Sequence, residues 1–298
     1  VTDIRRLAVI WLLLVLLVPI VAGTFMAENT LHPSAPTASA TVADSVSRAT
    51  RSTYRDVQIR TTDGTALQAW LFIPPGPPAG HVVVLHGVGD SRAGMHRIIR
   101  MLLSRRYAVL APDSRPGLTT YGIREAADVH LWAEYLYRTQ PVQNLYGLGE
   151  SMGAAVLLQS LPSEPRFRAV VAECPFSTFP AIARDRIEQN LHSDSLLARA
   201  IAEPVLASGL LYTRMRYGVD LTAASPLDAV RHSEIPILLI HGLRDSNVSP
   251  QHSRILLLAN PRHIVPWFVP KAGHVGAFSA DPAVFEERVT SFFQTYQR

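Results

Sequence analysis

From residue 55 to the end of the chain, short runs of aliphatic and β-branched residues alternate with stretches of helical periodicity, and this rhythm restricts the fold more than any other feature. Parallel strands need a crossover of a dozen or more residues between them, usually a helix, so the alternation predicts an α/β protein. The expected architecture is a mostly parallel sheet of about eight strands with helices on both faces. Buried strands are expected at 81–85, 107–111, 144–148, 169–173, 236–240 and 264–269. An antiparallel hairpin of 57–62 and 66–73, turning at Asp63-Gly64, is expected at one edge. Helices are expected near 93–104, 124–137, 152–161, 250–258 and 282–296. One interval is too long for a single crossover: about 60 residues separate Glu173 from Pro236. Its apolar middle, interrupted by Pro204, suits a helical cap over a pocket, inserted at about 176–225, or a helix packed on the sheet edge.

The N-terminus reads differently. Arg5 and Arg6 precede an uncharged stretch at residues 7–27. Its 21 residues would span about 31 Å as a helix, close to the thickness of a bilayer core. The segment is therefore expected to address a membrane, and the leading arginines orient the following domain outside the cytoplasm. Two outcomes stay open: a signal anchor, or a signal peptide with 7–18 as its apolar region, Pro19 as helix breaker and cleavage at 21–23, leaving an exported soluble protein. A buried core helix is the bland alternative. Residues 28–53, rich in Ala, Ser, Thr and Pro, read as a flexible linker, and 54–298 as the folded domain.

Charged residues make up 17% of the chain and apolar ones 48%, which supplies a large core and excludes global disorder. The net charge of +4 is not concentrated on one face of the pattern, so nothing points to nucleic acid as a partner. Cys174 is the sole cysteine, which excludes an intrachain disulfide and a cysteine-rich metal site. No metal or phosphate motif is present, and no cofactor is expected.

Chemistry concentrates at three strand ends. Gly149-Glu150-Ser151-Met152-Gly153 fits GxSxG, in which small residues let a strand turn sharply into a helix and leave the serine hydroxyl exposed. A strand candidate precedes it, and Ala154-Ala155-Val156-Leu157-Leu158, a good helix former, follows. A serine hydroxyl needs a base, and the base needs an orienting acid. Asp245 follows the strand at 236–240, and His274 follows the strand at 264–269. Asp113 is a competing acid at an earlier strand end, but it precedes the serine in the chain. Glu150 is either an acid favoured by the helix dipole or a wall of the acyl pocket. His86, His241 and Cys174 read as structural, and Asp128, four residues after Arg124, as a structural or solvated charge.

The order Ser, Asp, His, together with HGVGD at 86, PDSRPG at 112, GESMG at 149, SPLDAV at 225, HGLRDSNVSP at 241 and AGH at 272, resembles the α/β hydrolases. Within them, residues 56–296 are similar to the group of serine aminopeptidase-like and monoglyceride-lipase-like enzymes. The resemblance implies a catalytic triad of Ser151, Asp245 and His274. It also implies an oxyanion hole formed by the backbone N–H groups of Val88 and Met152. The expected function is hydrolysis of a carboxylic ester, thioester or amide through an acyl-enzyme on Ser151. An acyltransferase or serine peptidase would use the same triad, and a non-catalytic binding protein would leave it idle. The expected partners are a small-molecule ester or amide and, through residues 7–27, a membrane. In the cap, Leu210 and Leu211 are expected to touch the acyl group.

Overall fold

A computed structural model describes residues 2–191 and 196–297, with the side chains of 2–5, 7–16 and 196–199 outside that description. The strands are β1 (Thr53–Arg60), β2 (Ala66–Ile73), β3 (Gly80–Leu85), β4 (Tyr107–Pro112), β5 (Leu145–Glu150), β6 (Phe167–Glu173), β7 (Ile237–Gly242) and β8 (Ile264–Val269). They form one eight-stranded sheet in the order β1-β2-β4-β3-β5-β6-β7-β8. β1 and β2 pair antiparallel, as do β2 and β4. Every other pair is parallel.

The α-helices of the described residues are α1 (Thr2–Leu31), α2 (Ala40–Thr50), α3 (His96–Ser104), α4 (Glu125–Thr139), α5 (Met152–Ser160), α6 (Phe179–Asn190), α7 (Leu196–Tyr217), α8 (Pro226–Arg231), α9 (Pro250–Ala259), α10 (Ala277–Ala280) and α11 (Pro282–Thr295). The sheet is buried on both faces, and the two-residue side-chain period divides its strands between two cores. Val82, Val84, Val109 and Ala111 meet Ile98 and Ile99 of α3 and Phe285 and Phe293 of α11. Val83, Leu85 and Leu110 meet Trp132 of α4, Leu157 of α5 and Leu256 of α9. Truncating a fully buried aromatic such as Trp132 to Ala typically costs about 3–5 kcal/mol. Asp128 is a buried structural charge: Arg115 grips both its oxygens at 2.8 and 2.7 Å.

The expected linker at 28–53 is not one. α1 runs to Leu31, and Ser39 caps α2. Ala43 and Val46, three residues apart on α2, are buried in the core beside α3. Tyr54 in β1 donates to Asp44 at 2.7 Å and stacks on Phe72. A helix this rich in Ala, Ser and Thr shows too little apolar periodicity to be recognised, and tertiary contact supplies what propensity lacks.

The N-terminal segment differs in a second way: α1 continues through Pro19, which does not break it. Its C-terminal half lies against α7. A Cβ at Gly23 would come within 2.1 Å of Ser208 Oγ and 2.4 Å of the Val205 carbonyl, so only glycine permits this approach. Ser208 donates to the Pro19 carbonyl at 2.6 Å, Tyr217 donates to Glu28 at 2.7 Å, and Tyr212 also donates to Glu28. Leu31 is completely buried. Among the described residues no helix is long and apolar enough to cross a membrane. The side chains of residues 7–16, the first half of the expected membrane segment, lie outside the described residues.

Candidate active site

β5 delivers Ser151 to the C-terminal edge of the sheet, the edge at which parallel α/β sheets place their sites. Ser151 sits at φ 52°, ψ −115°, a strained conformation between strand and helix. The flanking glycines make it possible. A Cβ at Gly149 would meet the Gly153 and Ala154 backbone at 2.6 Å, and one at Gly153 would meet the Leu85 carbonyl at 2.4 Å. The Ser151 N–H is held by the Glu173 carbonyl at 2.8 Å.

The turns after β7 and β8 bring Asp245 and His274 to this serine. His274 Nε2 lies 2.9 Å from Ser151 Oγ, and His274 Nδ1 lies 2.8 Å from Asp245 Oδ2. Asp245 Oδ1 accepts the N–H groups of Asn247 at 2.8 Å and Val248 at 2.9 Å. Burial alone would raise the Asp245 carboxyl. Hydrogen bonds from His241, His274 and the Val248 N–H outweigh that, holding it well below the usual carboxylate range. An ionised acid against Nδ1 keeps the proton on that nitrogen and leaves Nε2 free to accept one from Ser151. Asp113 lies elsewhere: it accepts the Arg92 N–H at 2.8 Å and Arg92 Nη1 at 2.5 Å, pinning the loop before α3. The Cys174 thiol groups with Asp245 and His274 within 4.8 Å. Both His274 nitrogens are already engaged in the serine–acid bridge, and burial pushes the thiol pKa far up.

His86 fixes the loop opposite. The Ser114 N–H donates to His86 Nε2 at 3.0 Å, so Nδ1 carries the proton and donates to the Gly87 carbonyl at 2.7 Å. In the planar trans peptide, the Val88 N–H must point the other way. A Cβ on Gly87 would lie 3.4 Å from Ser151 Cβ, which measures how closely this loop approaches the serine. Neither Val88 nor Met152 N–H reaches a protein acceptor among the described residues. Both residues border the same cavity as Ser151.

Behind the site, Glu173 is buried at the end of β6. Its Oε1 accepts the Ala277 N–H at 2.9 Å, while Oε2 has no partner. Burial raises its pKa from 4.5 to about 7. Between those values the folded protein binds more protons than the unfolded chain, so stability falls as pH rises from about 4.5 to 7. Glu173→Gln keeps an acceptor for Ala277 and removes the ionisation. Its melting temperature, relative to wild type, is expected to climb by a few degrees between pH 5 and pH 8 in calorimetry. A constant difference across that range would contradict the burial argument.

Ser151 opens into a cavity of about 490 Å³. Phe176, Phe179 and Ile182 from the α6 region, Leu206 and Leu210 from α7, and Val248 give it an apolar wall. α1 closes it with Phe25, Met26 and Thr30. The cap expected at about 176–225 corresponds to α6, α7 and the short turn at Leu221–Ala223, with residues 192–195 outside the described residues. Of the two expected substrate contacts, Leu210 lines the cavity, whereas Leu211 does not: it is 58% exposed. Gly209 and Leu210 turn toward the cavity, and Leu211, about 100° further round the helix, falls outside it. The contribution of α1 was missed, because an uncharged helix for lipid and one for a protein cap have the same composition. Its only local signal is the small residue Gly23. Arg186 and Tyr121, which also line the cavity, carried no signal at all.

The doubly wound sheet and its serine–histidine–aspartate edge define an α/β hydrolase. The chain belongs to the alpha/beta hydrolase family, whose model matches residues 82–288. It is 26% identical over 252 residues to the uncharacterised protein YfhR of Escherichia coli, covering 79% of each chain. It is 24% identical over 230 residues to YqkD of Bacillus subtilis, covering 74% of this chain and 73% of that one. Among solved structures, a Pyrococcus furiosus esterase superposes with a TM-score of 0.70 at 23% identity, over 90% of this chain and all of that one. A Pyrococcus horikoshii acylaminoacyl peptidase gives 0.61 at 17% identity, over 83% of this chain and 42% of that one. At these identities the structural likeness speaks to fold alone.

Proposed function

We propose that this hydrolase cleaves carboxylic esters with an apolar acyl group through an acyl-enzyme on Ser151. The observation that carries the reading is the His274 ring, bridging Ser151 Oγ at 2.9 Å and Asp245 at 2.8 Å at the mouth of an apolar cavity. Ser151 attacks the carbonyl while His274 Nε2 takes its proton. The oxygen becomes an anion, received by the Val88 and Met152 N–H groups. His274 then returns the proton to the departing alcohol, and a water repeats the sequence to release the acid. Thioesters and amides are open to the same chemistry, and an acyltransferase differs only in the acceptor. Esters are favoured because the cavity next to Ser151 is walled by aromatic and aliphatic side chains suited to an acyl chain. A hydrolysis screen over p-nitrophenyl esters of increasing length, run beside aminoacyl and peptidyl amides, tests the choice. Faster amide than ester turnover would overturn it.

Leu210 and Leu211 offer an internal control. Each buried methylene is worth about 0.8 kcal/mol, or roughly fourfold in kcat/KM when the contact is realised in the transition state. Leu210→Ser is expected to lower kcat/KM for hexanoyl and octanoyl esters several-fold more than for acetyl esters. Leu211→Ser, on the exposed face, should leave that ratio unchanged. Equal losses for all chain lengths in Leu210→Ser would mean that the residue supports α7 without touching substrate.

The uncharged run at 7–27 supports a further part of the proposal, that α1 brings the domain to a membrane with the site outside the cytoplasm. Leu17, Val18, Ile20, Val21 and Phe25 are exposed on that helix, next to the residues that wall the cavity. Membrane fractionation with and without residues 1–18 reads this directly, a soluble full-length protein being the adverse result.

A further inference from the structure

Arg186 is out of place in an apolar pocket. α6 turns one face to the cavity, and Ile182, Arg186 and Asn190 lie along it at spacings of four. The neighbours on that wall, Phe179 and Ile187, are buried apolar residues, so an aliphatic side chain is what packing alone would select. The guanidinium of Arg186 donates to two neutral amide oxygens, Asn247 Oδ1 and, at 3.1 Å, Gln189 Oε1. Among the described residues no carboxylate lies within ion-pair distance of it, whereas Arg184 on the same helix pairs with Glu203. Amide oxygens orient a guanidinium without neutralising it. Half-buried beside aromatic rings, the cation has no direct counter-ion among the described residues, and burial lowers its pKa, a shift that the charges of Asp245, Tyr121 and Asp185 oppose only in part. Asn247 ties it to the loop of Asp245, whose Oδ1 accepts the Asn247 N–H at 2.8 Å, and so to the reacting end of the cavity.

We infer that Arg186 is an anion-recognition residue in the substrate pocket, and that the preferred esters are amphiphiles bearing a carboxylate or phosphate besides the apolar portion. The inference rests on the ester-hydrolase reading above and adds the substrate class. The planar fork of arginine matches either oxyanion with two parallel hydrogen bonds, and burial strengthens them.

Two matched pairs of esters test it: mono-4-nitrophenyl glutarate against 4-nitrophenyl pentanoate, with the anion on the acyl side, and 1-hexanoylglycerol 3-phosphate against 1-hexanoylglycerol, with the anion on the alcohol side. Wild type is expected to prefer the anionic member of at least one pair in kcat/KM, and the pair concerned tells carboxylate from phosphate. Arg186→Gln should reduce that preference by about tenfold to a hundredfold, chiefly through KM, and Arg186→Lys should restore part of it. Equal loss for both members, or no anionic preference in wild type, would overturn the inference and leave Arg186 as a brace for the Asp245 loop. Titration of Ser151→Ala protein with monomethyl glutarate and 1-hexanoylglycerol 3-phosphate reads binding without turnover. Arg186-dependent binding there supports anion recognition even if ester hydrolysis fails, and its absence beside intact hydrolysis refutes anion recognition alone.

Discussion

Ser151→Ala is expected to lower kcat on a p-nitrophenyl ester by about 10⁴- to 10⁶-fold while leaving the melting temperature within a few degrees of wild type. The large effect follows because the three residues act as a unit: without the hydroxyl, His274 has nothing to activate. What remains on the proposed mechanism is the cavity and the two N–H groups of Val88 and Met152, which would bind and polarise the carbonyl and can retain roughly 10³-fold over water. The fold is spared because the hydroxyl's side-chain hydrogen bond runs to His274, and neither core depends on it. The strained backbone is imposed by the close approach at Gly149 and Gly153, which alanine leaves intact. Near wild-type turnover in a folded variant would remove Ser151 from the mechanism.

Asp245→Asn is expected to cost about 10⁴-fold in kcat, with little change in structure. The direction follows from who donates to whom. The N–H groups of Asn247 and Val248 both donate to Oδ1, so an asparagine would keep its carbonyl oxygen there. Its NH₂ would then replace Oδ2 and face His274 Nδ1. Two donors cannot meet, so His274 would carry its proton on Nε2 and be unable to accept one from Ser151. Asp113→Asn tests the rival acid. Asp113 holds Arg92 and makes no contact with His274, so its loss should appear in the melting temperature and far less in kcat. The reverse pattern would move the acid to β4.

The parts of this arrangement that are local in sequence were legible there. Strands β3 to β8 are short aliphatic runs closed by glycine, proline or charge, and GESMG announces its own turn because only small residues survive backbone contacts of 2.4 to 2.6 Å. Ser151, Asp245 and His274 were separable from other polar residues because each follows a strand and the three occur in the chain order Ser, Asp, His, which Asp113 breaks. What stayed hidden depends on long-range contact. α2 has two buried residues, and nothing in Ala40–Thr50 foretells the core that receives them. The apolar character of α1 was visible, but that Gly23 would seat against Ser208 and Gly209, and that Met26 and Thr30 would wall the cavity, needs α7 in place. Leu210 and Leu211 could not be told apart until the phase of α7 was known. Glu173 looked like one more strand end, and its buried, unpartnered oxygen exists only once α10 has packed against the end of β6.

The central claim, that Ser151 is an activated nucleophile, is tested most directly by reaction with a fluorophosphonate at neutral pH followed by peptide mapping. The account predicts one covalent phosphonyl group on Ser151, complete loss of ester hydrolysis in step with labelling, and no labelling of Ser151→Ala or of heat-unfolded protein. A folded protein that hydrolyses esters yet stays unlabelled, or that carries the group on another serine, would contradict it.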